Sequence, residues 1–294
     1  MSYARTRRFQ AQSLQEGHRK PILIDTDILS DVDDIGSLAI ANVLHNRGLV
    51  DLRGVVVNTN SEYGALAASA ANTYYGNGDI PIAALRPLTQ ETFVDTWNFL
   101  YTARSWLELI LSKVKELVVM GGKYPEGWEF NLGGGDVASA LQVVNEWPRD
   151  IPVTYSGFEL SKDIFSGTRL MEDAPSDSPI LAAYEWYVGR CKTARESWDP
   201  VTTLYGILGL HGVPEGDPGP LFDYANDVGY NRMLETGSNE WVHDSAVRNQ
   251  HWLKLADGIT NETVAAWLDR LLAHDPVGER CPNHCLHTQK DTKY

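Results

Sequence analysis

An aliphatic triplet that runs directly into a cluster of carboxylates constrains this chain more than any other feature. Ile22-Leu23-Ile24 is followed by Asp25, Asp27, Asp31, Asp33 and Asp34, and then by an apolar stretch with helical spacing from Ile35 to His45. A short aliphatic run, a polar interruption and a helical period read as strand, loop and helix. Five negative charges so close together repel strongly unless they are protonated, hydrogen-bonded to amides or joined by a cation. Capping a helix start uses one or two carboxylates, so capping leaves the excess unexplained. Every donor in the run is a hard oxygen, which favours Ca²⁺ or Mg²⁺, and Ca²⁺ accepts the irregular shell that a loop supplies. An EF-hand is excluded by position: counted from Asp25, the glycine place holds Ser30 and the final glutamate place holds Gly36.

The same alternation continues along the chain. Leu52 to Val57 reads as a strand ended by Asn58-Thr59-Asn60, Ala65 to Tyr75 as an alanine-rich helix, Ile80 to Ala83 as a short strand and Trp97 to Lys115 as a helix. Leu117 to Met120 is a strand halted by Gly121-Gly122. Asp136 caps a helix from Val137 to Trp147, and Ile151 to Tyr155 is a further strand. Pro179 to Arg190 and Pro200 to Leu210 read as helices, the second with Asp199 at the cap and Pro200 at the first helical position. The stretch from Gly212 to Gly229, dense in glycine and proline, is loop or hairpin, and Asn261 to Ala273 is a last helix capped by Thr260. Strands alternating with helices predict an α/β fold with three layers, a mostly parallel central sheet and helices on both faces. One domain over 21–275 is expected, with an N-terminal arm over 1–20 and a C-terminal tail over 276–294. In such sheets ligands bind beyond the carboxyl ends of the strands, where the aspartates stand.

Charge narrows the function classes. The 294 residues hold 25 Lys and Arg against 39 Asp and Glu, and the net charge of -14 repels a phosphate backbone, which excludes nucleic acid as a partner. No apolar run is long enough to cross a bilayer, and the polar start lacks the apolar stretch of a secretory signal, so a cytoplasmic location is expected. Three cysteines make no disulfide framework. Cys281-Pro-Asn-His284-Cys285-Leu-His287 carries soft ligands in one cluster without a second to close a tetrahedral site, and it reads as a solvated tail.

Asp25-Thr-Asp27 through Asp33-Asp34 resembles the N-terminal signature of the inosine-uridine preferring nucleoside hydrolases, in the variant with two extra residues before the paired aspartates. Matches to the same family follow in order: Val56-Val-Asn58-Thr-Asn60, Val118-Val-Met120-Gly121-Gly122, Glu129-Phe130-Asn131 and Asp199-Pro200. The resemblance runs from about Pro21 to Leu210. It implies hydrolysis of the N-glycosidic bond of a ribonucleoside or related N-riboside to free base and ribose. It further implies that Asp27, Asp34 and Asp199 bind Ca²⁺, and that Asp27 takes the proton from the attacking water. Asp33, Asn60, Glu129 and Asn131 would hold the ribose hydroxyls, which suits an oxocarbenium-like transition state. A homo-oligomer, dimer or tetramer, is implied as well. Two positions depart from the pattern. Where many relatives carry histidine before the C-terminal aspartate, this chain has Trp198, which transfers no proton at a useful pKa but can stack on a base. Lys123-Tyr-Pro-Glu126 replaces an expected asparagine, and Glu126, Tyr124, Tyr230 and His243 are the alternative proton donors.

Two other readings fit parts of the sequence. An aliphatic strand ending in Asp25-Thr-Asp27 is also how haloacid-dehalogenase-like Mg²⁺ phosphatases begin, although Leu29 stands where that class has threonine or valine. A degenerate protein that binds metal and ribose without chemistry would tolerate the missing histidine.

Overall fold

The computed structural model describes residues 19–28, 31–59, 61–89, 113–189, 192–212 and 219–276. The segment Pro21–Thr26 forms β1 and pairs in parallel with β2, Asp51–Val57, which pairs in parallel with β3, Ile82–Ala84. A second ladder joins β4, Leu117–Met120, with β6, Val153–Ser156, and β12, Gln250–Leu255, all parallel, and ends in the antiparallel β9, Phe222–Tyr224. Among the described residues, then, the parallel strands form two hydrogen-bonded sets. Lys20 links them: at the foot of β1 it donates to the Gly206 carbonyl at 2.8 Å and pairs with Glu116, just before β4, at 3.4 Å. A small antiparallel sheet orders β10, Tyr230–Met233, β11, Ser238–Val242, and β5, Glu126–Trp128. A short antiparallel pair joins β7, Phe165–Ser166, to β8, Arg195–Glu196.

The longer helices are α1, Asp33–Asn46; α2, Glu62–Tyr74; α3, Val137–Glu146; α4, Pro179–Val188; α5, Trp198–Leu208; and α6, Asn261–Leu272. Helix α1 is buried on nearly every side, with Leu38, Ala39, Ile40 and Val43 wholly inaccessible, so it serves as the central post of the core. It packs against α5, α2 and α6. Its one buried amide, Asn42, is satisfied: Nδ2 donates to the Leu38 carbonyl and to Asn72 Oδ1, each at 2.8 Å, and Oδ1 accepts from Asn77.

The caps expected at Asp136 and Thr260 form, and Ser61 and Ser178 cap two further helices, each side chain accepting backbone N–H groups of the helix it starts. The predicted helix over Trp97 to Lys115, the arm and the cysteine-bearing tail lie largely or wholly outside the described residues. One local expectation is corrected. Helix α5 begins at Trp198 with Ser197 at the cap position, so Asp199 sits inside the first turn. The stretch Gly121 to Gly135 is ordered by β5 and a single helical turn, Phe130–Gly133. No helix among the described residues is long and apolar enough to cross a membrane.

Candidate metal centre

The acidic residues of α1 are not occupied in capping. Val32 holds the N-cap position without a side-chain bond, leaving Asp33 and Asp34, buried in the first turn, for other partners. Thr26, the last residue of β1, donates its hydroxyl to Asp34 Oδ1 and accepts the N–H of Ile28 at 3.3 Å, which ties the strand end to the helix start. Asp199 enters from α5, which packs along α1. Ser197 Oγ cannot cap that helix because it bonds to Ser166 on β7, 2.7 Å from its hydroxyl and 3.0 Å from its N–H.

This packing brings one carboxylate oxygen each of Asp27, Asp34 and Asp199 within 4.8 Å of one another. Two oxygens bound to one Ca²⁺ at 2.3–2.6 Å lie at most about 5 Å apart, so the trio fits such an ion in separation as well as in donor type. Electrostatics agree. Burial, with the charge of Asp199 and then Asp27 beside it, holds the Asp34 carboxyl well above its ordinary range, and burial with Asp33 and Asp27 does the same to Asp199. Burial and Asp31 raise Asp27. Asp34 is buried and Asp27 and Asp199 are half-buried, and a cation among the three would relieve the repulsion that otherwise opposes their ionisation.

Around the trio the other predicted residues divide. Asp33, 2 % exposed, is pushed up to about 7 by burial and by Asp31, with Arg195 acting against both. Asp25 stands at the exposed rim and accepts from Asn58 Nδ2 at 3.1 Å, outside the trio. Asn60 lies outside the described residues. Glu129 is buried and its carboxylate takes three backbone N–H groups, of Asn131 at 2.8 Å, Gly122 at 2.9 Å and Leu132 at 3.2 Å. That arrangement pins the end of β4 to the turn bearing Asn131, whose own Nδ2 lies 2.8 Å from Met120 Sδ. Trp198 donates its indole N–H to the Phe158 carbonyl at 3.0 Å and stacks on the Phe158 ring, centroids 5.5 Å apart and planes 23° from parallel. Tyr124 sits inside an aromatic cluster with Tyr155, Trp241 and Trp252, where burial pushes its hydroxyl far up and removes it as an acid at neutral pH.

Sequence reasoning missed Arg195. Its guanidinium lies 3.4 Å from Asp31, 3.8 Å from Asp33 and 2.7 Å from Glu196, and over the rings of Tyr187 and Trp198. The available signal was a cation four residues before Asp199, but only the fold carries it to the acidic turn.

No family model matches the sequence, and no curated protein matches it. Solved structures do. A plant nucleoside hydrolase matches over 87 % of this chain and 99 % of its own, at 16 % identity and a TM-score of 0.55. The inosine-uridine preferring nucleoside hydrolase of Bacillus anthracis covers 86 % and 99 %, at 14 % identity and a TM-score of 0.52. The type III effector protein XopQ, solved with adenosine diphosphate ribose, covers 87 % and 92 %, at 15 % identity and a TM-score of 0.55.

Proposed function

We propose, for a chain that shares the fold of the nucleoside hydrolases, that it hydrolyses the N-glycosidic bond of a ribonucleoside or related N-riboside with Ca²⁺ held by Asp27, Asp34 and Asp199. The observation that carries this reading is the meeting of those three carboxylates across α1 and α5, at the ends of strands where this fold family works. Bound Ca²⁺ would supply the positive charge that lowers the pKa of the attacking water. Asp27, half-buried among the three, would take the proton from that water. Asp33 and Asn131, with Asn60, would hold the ribose hydroxyls, while Glu129 sets the turn from which Asn131 projects. Trp198 and Phe158 form an aromatic pair beside Asp199, suited to packing against a planar base. No histidine stands at that position, so departure of the base would rest on stacking and solvent.

The phosphatase reading loses ground on one contact. It needs Asp25 and Asp27 to share the ion, whereas Asp25 turns to Asn58.

The test is release of the free base from a panel of purine and pyrimidine nucleosides, with adenosine diphosphate ribose included, with and without a Ca²⁺ chelator. Chelator-sensitive release that Asp27→Ala abolishes supports the hydrolase. Ca²⁺ binding without cleavage of any member points to the binding protein that lacks chemistry.

A further inference from the structure

Beyond the trio the acidic run holds three more carboxylates, and with Asp25 accepting from Asn58 there remain Asp31 and Asp33, which a single divalent ion cannot neutralise along with the trio. Arg195 meets that remainder. Its Nη2 lies 3.4 Å from Asp31 Oδ2 and its Nε 3.8 Å from Asp33 Oδ1, and both the Nε and that Oδ1 are buried without any hydrogen-bond partner. The side chain is 18 % exposed and that of Asp33 3 %, so the pair is not an ornament of the surface. The guanidinium is also held flat: Tyr187 and Trp198 place their ring centroids 5.1 and 5.2 Å from its central carbon. β8, which carries Arg195, is fixed in turn by its pairing with β7.

We propose that Arg195 is a positioning residue that acts through Asp33: it holds that carboxylate as a fixed acceptor for a ribose hydroxyl and couples the hydroxyl-binding side of the site to the aromatic side at Trp198. The proposal rests on the N-riboside reading above. Arg195 contacts none of Asp27, Asp34 and Asp199 in its ion pairs, so its role is separable from metal binding. Lysine cannot replace it fully, because a point charge neither bridges two carboxylates in one plane nor lies between two rings.

The experiment compares wild type, Arg195→Lys and Arg195→Gln in the full chain with Ca²⁺ present, on a ribonucleoside and its 2′-deoxy and 3′-deoxy analogues, with ribose binding and Ca²⁺ affinity measured by calorimetry. Arg195→Gln is expected to lower kcat/KM for the ribonucleoside roughly 10- to 100-fold, the effect of a charge-assisted contact, and to lower it far less for whichever analogue lacks the hydroxyl that Asp33 holds. The preference for ribose then collapses, Arg195→Lys falls between, and Ca²⁺ affinity stays within about twofold, as for independent sites. An unchanged ribo-to-deoxy ratio overturns the proposal. So does a loss of Ca²⁺ affinity that parallels the loss of activity, because Arg195 would then be supporting the metal loop. A wild-type protein that neither binds ribose nor cleaves any nucleoside overturns the hydrolase reading and this proposal with it, and that failure shows in the wild type before any variant is made.

Discussion

Gly36 on α1 faces Pro200 on α5 so closely that a Cβ added at Gly36 would stand 3.2 Å from Pro200 Cγ and 2.6 Å from the Tyr184 hydroxyl. The two helices that carry Asp34 and Asp199 meet at this point, within one turn of both carboxylates. Replacing a helical glycine by alanine ordinarily stabilises by about 0.5–1 kcal/mol. Here the forced displacement costs about 1–3 kcal/mol and wins. Gly36→Ala should therefore lower the melting temperature and weaken Ca²⁺ binding together; a variant with higher stability and unchanged affinity would show that α1 and α5 have room to spare.

Removing one carboxylate of the trio should cost affinity without unfolding the protein. Asp34 is buried, and the charges of Asp199 and Asp27 act against its ionisation, so Asp34→Asn removes that repulsion in the metal-free state while deleting a candidate ligand. The expected outcome is an equal or higher melting temperature without Ca²⁺, and Ca²⁺ affinity lower by about two orders of magnitude. Titration calorimetry and thermal melts of the same sample check both halves.

The metal-free protein should lose stability as pH rises. Asp33 has an ordinary carboxyl value of 3.8 when unfolded and about 7 in the folded chain. The folded state thus binds the proton more tightly, and the stability this supplies is full below pH 3.8 and lost as pH climbs through about 7. Melts without divalent ions from pH 4 to 8 should show that decline, and Asp33→Asn should flatten it. Added Ca²⁺ should raise the melting temperature more at pH 8 than at pH 5, since it must displace protons from the trio at the lower pH.

Glu129 offers two oxygens to three backbone N–H groups. Glu129→Gln keeps one acceptor oxygen and leaves at least one buried N–H unpaired, for a loss of about 1–3 kcal/mol. Denaturant unfolding should register that loss while Ca²⁺ affinity stays the same, because Glu129 lies outside the trio.

Trp198→Leu deletes the hydrogen bond to the Phe158 carbonyl and the stacked ring pair. Each is worth about 0.5–1.5 kcal/mol. Stability should fall by their sum or less, and KM for a nucleoside should rise more than kcat falls. Equal KM values for wild type and variant would remove Trp198 from the base-binding surface.

The elements legible in the sequence are those with short-range signals. Leu117–Met120 is ended by Gly121-Gly122, and the helix after Asp136 carries its cap in the residue before it. The strands β10, β11 and β12 escaped because their inward residues include amides: Asn231 and Asn239 are buried and bond to each other at 3.1 Å, with Asn239 also bridging the backbone of Lys123. A buried, satisfied asparagine looks polar in a sequence and breaks the alternation that marks a strand.

For the site itself, the sequence determined that the first turn carries more negative charge than capping can use, because charge density along a short segment needs no fold to be known. The resemblance implied the set Asp27, Asp34 and Asp199, and only the tertiary structure brings those three carboxylates together. Asp25 turns aside to Asn58, Asp199 leaves its expected cap position to face Asp34, and Arg195 crosses 164 residues of sequence to meet Asp31. Those outcomes depend on how α5 packs along α1 and on where β8 pairs with β7, which are long-range contacts that no local pattern encodes.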